Sequence, residues 1–151
     1  MGRKGQERIM AKSHCNVTAL RKASRRLSQI YDAALAPHGL RSKQRAILAH
    51  VARASSPTMG ELAAALVLDR TALNHNLKPL VRDGYLKVAV DEKDARGRRI
   101  ELTDRGRQIL NASHDDWQAA QLRFEQMFGE TQAALLRSAL EAIAAMEMHK
   151  R

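Results

Sequence analysis

The chain has 151 residues, enough for one domain or two closely joined lobes, and with 44% apolar residues it can bury a core. Its five aromatic residues, Tyr31, Tyr85, Trp117, Phe124 and Phe128, are too few for a platform that stacks single-stranded bases, and its one cysteine, Cys15, excludes an intramolecular disulfide framework. The net charge is +10 and unevenly spread: residues 1–107 carry 22 Lys and Arg against 10 Asp and Glu, whereas residues 108–151 carry 4 against 6, so the basic part suits a polyanion such as DNA, RNA or an acidic membrane.

The first stretch, MGRKGQERIMAKSH, is basic and lacks an apolar core or a small-residue cleavage site, so residues 1–14 read as a flexible basic arm rather than a signal peptide. No apolar run approaches the roughly 18–20 residues of a membrane span, and a lone cysteine fits a reducing cytoplasm. Residues 16–36 form a long helical pattern, with Val17, Leu20, Ser24, Leu27, Tyr31 and Ala34 recurring at steps of three and four until Pro37 and Gly39 end it. Ser42 is placed to cap a helix to Ala54 that turns Ile47, Leu48 and Val51 inward, and Ser55-Ser56-Pro57 breaks it.

Thr58 to Glu61 has the spacing of a capping box, in which threonine and glutamate satisfy each other's backbone donors. The helix that follows, Glu61 to Leu66, offers Leu62, Ala65 and Leu66 to a core. After a tight turn, Asp69 is an N-cap for a helix to Arg82. On it Leu73, Leu77, Leu80 and Val81 share one side, and Thr71, Asn74, His75, Lys78 and Arg82 share the other. Two short helices joined tightly, the second with a donor-rich face that the major groove accepts, are the organisation of a helix-turn-helix. Pro79 predicts a bend or a break, and Asp83-Gly84 closes the helix.

From residue 85 the period changes to two. Leu86, Val88 and Val90 alternate with Lys87 and Ala89, Asp91 to Gly97 is a charged loop, and Arg98 to Leu102 alternates again, which makes a hairpin, or wing. Thr103 caps a long helix to about Phe128 with Ile109, Leu110, Trp117, Ala120, Phe124 and Phe128 on one face. Gly129 ends it, and a last helix runs from Glu130 to about His149 with Leu136, Leu140 and Ile143 on one stripe and Leu135, Ala139, Ala142 and Met146 beside it. The two chain ends thus offer more apolar surface than one small lobe covers, which predicts a homodimer.

The stretch PTMGELAAALVLDRTALNHNLKPLVRDGYL and the wing DEKDARGRRIELTDRG, with Asp94, Arg96, the Leu-Thr pair and Gly106, together resemble the MarR family of winged helix-turn-helix regulators over about residues 15–148. The resemblance implies a mainly α fold with a small β-hairpin wing: a DNA-binding lobe over residues 41–102, and dimerisation helices from both chain termini at 15–40 and 103–151. It implies a cytoplasmic homodimer on a pseudo-palindromic operator of double-stranded DNA, usually a repressor, released by a small aromatic-acid-like ligand or, in some members, by oxidants. No cofactor is implied.

On that frame Thr71, Asn74, His75 and Lys78 are candidates for base edges and nearby phosphates, Arg70 and Thr58 for phosphate, Arg96 for the minor groove, and Arg98 and Arg99 for neutralising the DNA backbone. Asp94 is expected to orient Arg96 by an ion pair. By resemblance the ligand pocket lies among the first, second and fifth helices, with Tyr31, His50 and Trp117 as liners and Arg25 or Arg45 as a carboxylate clamp. Cys15 is the candidate for an oxidant-sensing alternative, its thiolate favoured by His14, Arg21 and Lys22. His14, Cys15, His114 and Asp115 match no zinc spacing, so no metal is expected. The chain lacks a nucleophile elbow, a phosphate loop and a carboxylate pair with a base, so it is not expected to be an enzyme. A non-specific nucleic-acid-packing protein is the remaining rival.

Overall fold

The structure is a computed structural model that describes residues 14–147; the expected arm lies outside the described residues, save for His14. Helix α1 spans Asn16–Leu35 and runs into a 3-10 turn at Ala36–His38. Helices α2 (Ser42–Ala54), α3 (Met59–Ala65) and α4 (Arg70–Arg82) follow, then strands β1 (Leu86–Asp91) and β2 (Asp94–Leu102). Helices α5 (Asp104–Ala112), α6 (His114–Phe128) and α7 (Glu130–Ala144) complete the fold, which is mainly α with one antiparallel hairpin, as expected.

One core joins the middle of the chain. Leu48, Leu62, Leu73, Leu80 and Ile100 are fully buried, one or two from each of α2, α3, α4 and β2. Burial of each such side chain contributes about 1.5–3 kcal/mol, so the donor face of α4 is set outward by what its other face buries. Val81 does not share that burial: at 39% exposure it lies outside the core, as do Val88 and Val90 on β1. In α3 it is Ala63, not Ala65, that packs inward, because a helix beginning at Met59 puts Ala63 beside Leu62 and Leu66.

Several local expectations are corrected. Ser42 is the first residue of α2 rather than its cap: its N–H donates to Asp32 Oδ1 on α1 at 2.6 Å, and Arg41 is the N-cap, its own N–H bonded to Gln44. Pro79 does not break α4, which continues to Arg82; the proline removes one bond near the end of a helix whose leucines are already packed. Gly84 takes φ 78°, and the Tyr85 N–H reaches back to the Leu80 carbonyl at 2.9 Å. The hairpin is tighter than a loop over 91–97 implies. Asp91 pairs with Asp94, and residues 95–97 are extra residues on β2 before Val90 pairs with Arg98.

The long helix expected after Thr103 is interrupted at Ser113 (φ −86°, ψ 0°), a fully buried residue whose hydroxyl donates to the Leu110 carbonyl at 3.2 Å. A serine bonding back to its own helix competes with the regular ladder and bends it there. Thr103 does cap α5, accepting the Gly106 N–H at 3.0 Å and donating to the Gly84 carbonyl at 2.6 Å. Gly106 is a contact glycine: a Cβ there would lie 2.1 Å from the Tyr85 oxygen. Helix α7 ends at Ala144, so the expected extension stops short, and His149 lies outside the described residues.

Candidate nucleic-acid interface

Val67 takes φ 52° after α3, and the Leu68 N–H returns to the Ala63 carbonyl at 2.9 Å, turning the chain sharply into α4. Asp69 Oδ1 accepts the Ala72 N–H at 2.7 Å, satisfying a first-turn donor. With Leu73, Leu77 and Leu80 held inside, Arg70, Thr71, Asn74, His75 and Lys78 are all exposed on the outer face. The Thr58 capping box forms as expected, with Thr58 N–H to Glu61 Oε2 at 2.8 Å and Glu61 N–H to Thr58 Oγ1 at 3.2 Å. The bond from the Thr58 N–H is the main cause that holds the Glu61 carboxyl below its ordinary value.

The wing tip is organised by side-chain-to-backbone bonds. Asp94 Oδ1 accepts the Arg96 N–H at 3.0 Å; it holds the arginine's backbone, where an ion pair to its guanidinium was expected. Arg98 Nη1 donates to the Ala95 and Gly97 carbonyls at 3.3 and 3.0 Å, and Arg96 stays exposed. Arg99 is engaged within the lobe: its Nε meets Asp91 Oδ1 at 3.0 Å and its Nη1 donates to the Ser56 carbonyl at 2.8 Å, bonds that the expected part in neutralising the DNA backbone did not include.

Between the start of α3, the start of α4 and the wing lies a cleft of about 440 Å³ lined by Thr58, Arg70, Asn74, Arg96 and Arg98, with Met59, Gly60, Gly97 and the carboxylates Asp91 and Asp94 also on its wall. A depression of about 650 Å³ between α4 and the wing is lined by Asn74, Lys78, Arg82 and Arg98. Thr71 and His75 are exposed on the same helix but line neither hollow. Arg82, on the donor face of α4 but not among the expected DNA contacts, lines the second of them. Its guanidinium bonds Asp83 at 2.9 Å, which raises its pKa and lowers that of Asp83.

The candidate ligand residues divide. Arg45, His50 and Trp117 share a hollow of about 510 Å³ between α2 and the α5–α6 junction, with Arg53, Asn111 and His114 on its wall and no carboxylate in its lining. Arg45 is only 7% exposed; its Nε donates to Ser113 Oγ at 3.2 Å, its guanidinium lies 4.5 Å from the Trp117 ring centre, and burial pushes its pKa down. Tyr31 lines a separate apolar slot of about 280 Å³ between α1 and α7 and donates its hydroxyl to Gln121, and Arg25 lies exposed and lines neither hollow. The first helix therefore contributes nothing to the Arg45 hollow, because α1 packs on α6 rather than over that junction.

Cys15 is exposed at the N-cap of α1 and its thiol pKa is lowered, first by a bond to the Thr18 side chain rather than by His14, Arg21 or Lys22. Among the described residues no three His, Cys, Asp or Glu side chains converge on one point, and no helix is long and apolar enough to cross a membrane.

Residues 38–97 match the model of the MarR family. The transcriptional activatory protein BadR of Rhodopseudomonas palustris is 33% identical over 79 residues, which are 50% of this chain and 45% of that protein, so the match spans under half of the curated relative. The M. tuberculosis transcriptional regulator MosR in complex with DNA is 37% identical, with 86% of this chain and 98% of that one covered at a TM-score of 0.72. CouR from Rhodococcus jostii RHA1 bound to p-coumaroyl-CoA covers 93% of this chain and 99% of its own at a TM-score of 0.75; at 21% identity it is a likeness of fold alone.

Proposed function

The chain belongs to the MarR family of transcriptional regulators, and from that premise we propose that it acts as a homodimer that represses from a pseudo-palindromic operator and releases it when a small aromatic-acid-like ligand binds. The cleft that gathers Thr58, Arg70, Asn74, Arg96 and Arg98 carries this reading. Cationic side chains, an amide and a capped helix N-terminus meet there at the seam between a helix sized for the major groove and a hairpin sized for the minor groove. Asn74 and Lys78 read base edges, with Thr71 and His75 beside them. Arg70 and Thr58 hold phosphate, Arg96 enters the minor groove, and Arg98 stiffens the wing tip while adding charge.

Dimerisation through residues 15–40 and 103–151 is supported by apolar side chains that the single chain leaves bare: Val17 at 52% on α1, Phe128 at 47% on α6, and Leu135 and Ile143 at 66% and 52% on α7. A two-fold pairing of these helices sets two copies of the 41–102 lobe about one duplex turn, roughly 34 Å, apart. The Arg45 hollow, cationic and walled by Trp117, suits a carboxylate on a flat body. CouR, a fold neighbour, is bound to p-coumaroyl-CoA. The protein works in the cytoplasm and catalyses no reaction in this role.

Selection of bound duplexes from a random pool tests the reading. A two-fold repeat with half-sites one turn apart, retained in large excess of competitor DNA, is the expected result; uniform recovery of all sequences would make the protein a packing factor instead. Since BadR is named an activatory protein, a promoter–reporter assay decides the direction of control.

A further inference from the structure

We propose that Arg99 and Asp91 form a positioning clamp that fixes the wing tip against the N-terminus of α3 and thereby decides whether Arg96 reaches the minor groove. The inference rests on the DNA-binding reading above and adds to it a residue pair that need not touch DNA.

Arg99 sits where three segments meet. In the hairpin it pairs with Ala89, and on its other edge it bridges Thr58, while the next residue, Ile100, donates its N–H to the buried Pro57 carbonyl at 2.9 Å. Its guanidinium spans two directions, to the Ser56 carbonyl on one side and to Asp91 on the other. Ser55 and Ser56 both have positive φ, 52° and 69°, a conformation that non-glycine residues hold only when their surroundings insist on it. Arg99 bonds one of those carbonyls and so ties the wing to the strained approach to Thr58.

Asp91 closes the other end. It is a charged residue only 7% exposed, at the point where the hairpin register shifts. Besides Arg99 it accepts the Lys93 N–H at 3.1 Å, and Gly97 packs so close that a Cβ there would lie 3.0 Å from the Asp91 Cβ. Of the three extra residues 95–97, Gly97 therefore closes against Asp91, next to Arg96 at their centre. Thr58 lies at one wall of the DNA cleft and Arg96 at another; the chain Ser56–Arg99–Asp91 connects the two walls. Arg99 bonding lowers the Asp91 pKa, so the carboxylate stays charged and the clamp stays closed at neutral pH.

Charge alone and the clamp predict opposite signs. Asp91→Asn removes a negative charge beside a polyanion, which by charge should tighten binding; the clamp requires binding to weaken, by about tenfold, the worth of one lost base-step contact. If Arg99 instead touched phosphate, Arg99→Gln would lower the slope of log affinity against log salt by about 0.9 per protomer even in a protein that already carries Arg96→Gln; as a positioning residue that acts through Arg96 it adds less than half of that change there. The experiment measures wild type, Asp91→Asn, Arg99→Gln and their double variant on the selected duplex, over a salt series and with A·T or G·C pairs in the flank facing the wing, and measures the salt slope of Arg96→Gln with and without Arg99→Gln, with circular dichroism of each protein.

The expected result is an equal loss in both single variants, no further loss in the double variant, and a flank preference that disappears in all three. Asp91→Asn binding as tightly as wild type or tighter overturns the clamp, as does a further slope loss of the full phosphate increment when Arg99→Gln is added to Arg96→Gln. Should Asp91→Asn fail to fold, the flank preference of Arg99→Gln and the slope it adds to Arg96→Gln decide alone. Wild type selecting no duplex overturns the DNA-binding reading and the clamp with it, whereas the other refuting outcomes leave that reading intact.

Discussion

Replacing Gly106 by alanine should destabilise the DNA-binding lobe more than any other glycine-to-alanine change among the described helices. The added Cβ would stand 2.1 Å from the Tyr85 carbonyl oxygen and 2.7 Å from Leu102 Cδ1, one a backbone atom and the other a nearly buried side chain. Neither yields freely. Tyr85 oxygen accepts the Thr103 N–H at 3.1 Å, and the Thr103 hydroxyl caps α5, so moving either strand end also loosens the cap. Overpacking of this kind costs about 1–3 kcal/mol and a lost cap about 1 kcal/mol, together roughly 2–4 kcal/mol. At about 2–4 °C per kcal/mol for a chain of this size, the thermal midpoint should fall by roughly 4–16 °C. Gly60→Ala is the internal control, because a Cβ there meets nothing within 4 Å and the residue lies within α3, where alanine is the better helix former. Calorimetry of the two variants gives the answer: a Gly106→Ala midpoint within 2 °C of wild type, or a Gly60→Ala loss as large, would refute the close-approach reasoning.

Three further outcomes are expected. Asn74→Ala should relax choice at one base pair by about 1–3 kcal/mol and leave other positions alone, while Arg96→Gln weakens operator and scrambled duplex alike and flattens the salt dependence; equal loss on both duplexes for Asn74→Ala would remove it from the reading set. The Glu61 carboxyl has a folded pKa below its unfolded one, so its stabilising effect is complete above the ordinary carboxylate range and is lost as pH falls through the lower folded value. Glu61→Gln should therefore be less stable than wild type near neutrality and equal to it in acid, in thermal melts from about pH 3 to pH 7; a gap independent of pH would sink the assignment. Arg45→Met should leave stability unchanged or raised, since a buried cation without a carboxylate gives way to an apolar chain on Trp117, yet it should abolish the thermal shift caused by aromatic acids; a retained shift would place the ligand elsewhere.

The elements legible in advance share a short range. The Asp69 cap reaches Ala72, the Thr58–Glu61 box spans three residues, and the leucine stripe of α4 repeats within a turn. Helix order, hairpin and family followed from such signals. What was not legible has the opposite property. Arg99 stands in a basic run that suits phosphate, and nothing in that run foretells its bond to the Ser56 carbonyl 43 positions away. Arg25, Tyr31 and Arg45 looked equally eligible for one pocket, and only the packing of α1 on α6 separates them. Ser113 lay inside an unbroken helical pattern; its bond to the Leu110 carbonyl is local, but the Arg45 that donates to it arrives from 68 residues earlier.

By itself the sequence determined the parts that hydrogen bonds within a turn and the periodicity of apolar residues decide: which segments coil, where they are capped, and which side of the reader helix must stay polar. Only the tertiary structure decided where the long cationic side chains go. An arginine can reach in many directions at similar cost, and its choice between Asp91 and solvent, or between Ser113 and a ligand, is made by backbone that becomes its neighbour after the chain has closed.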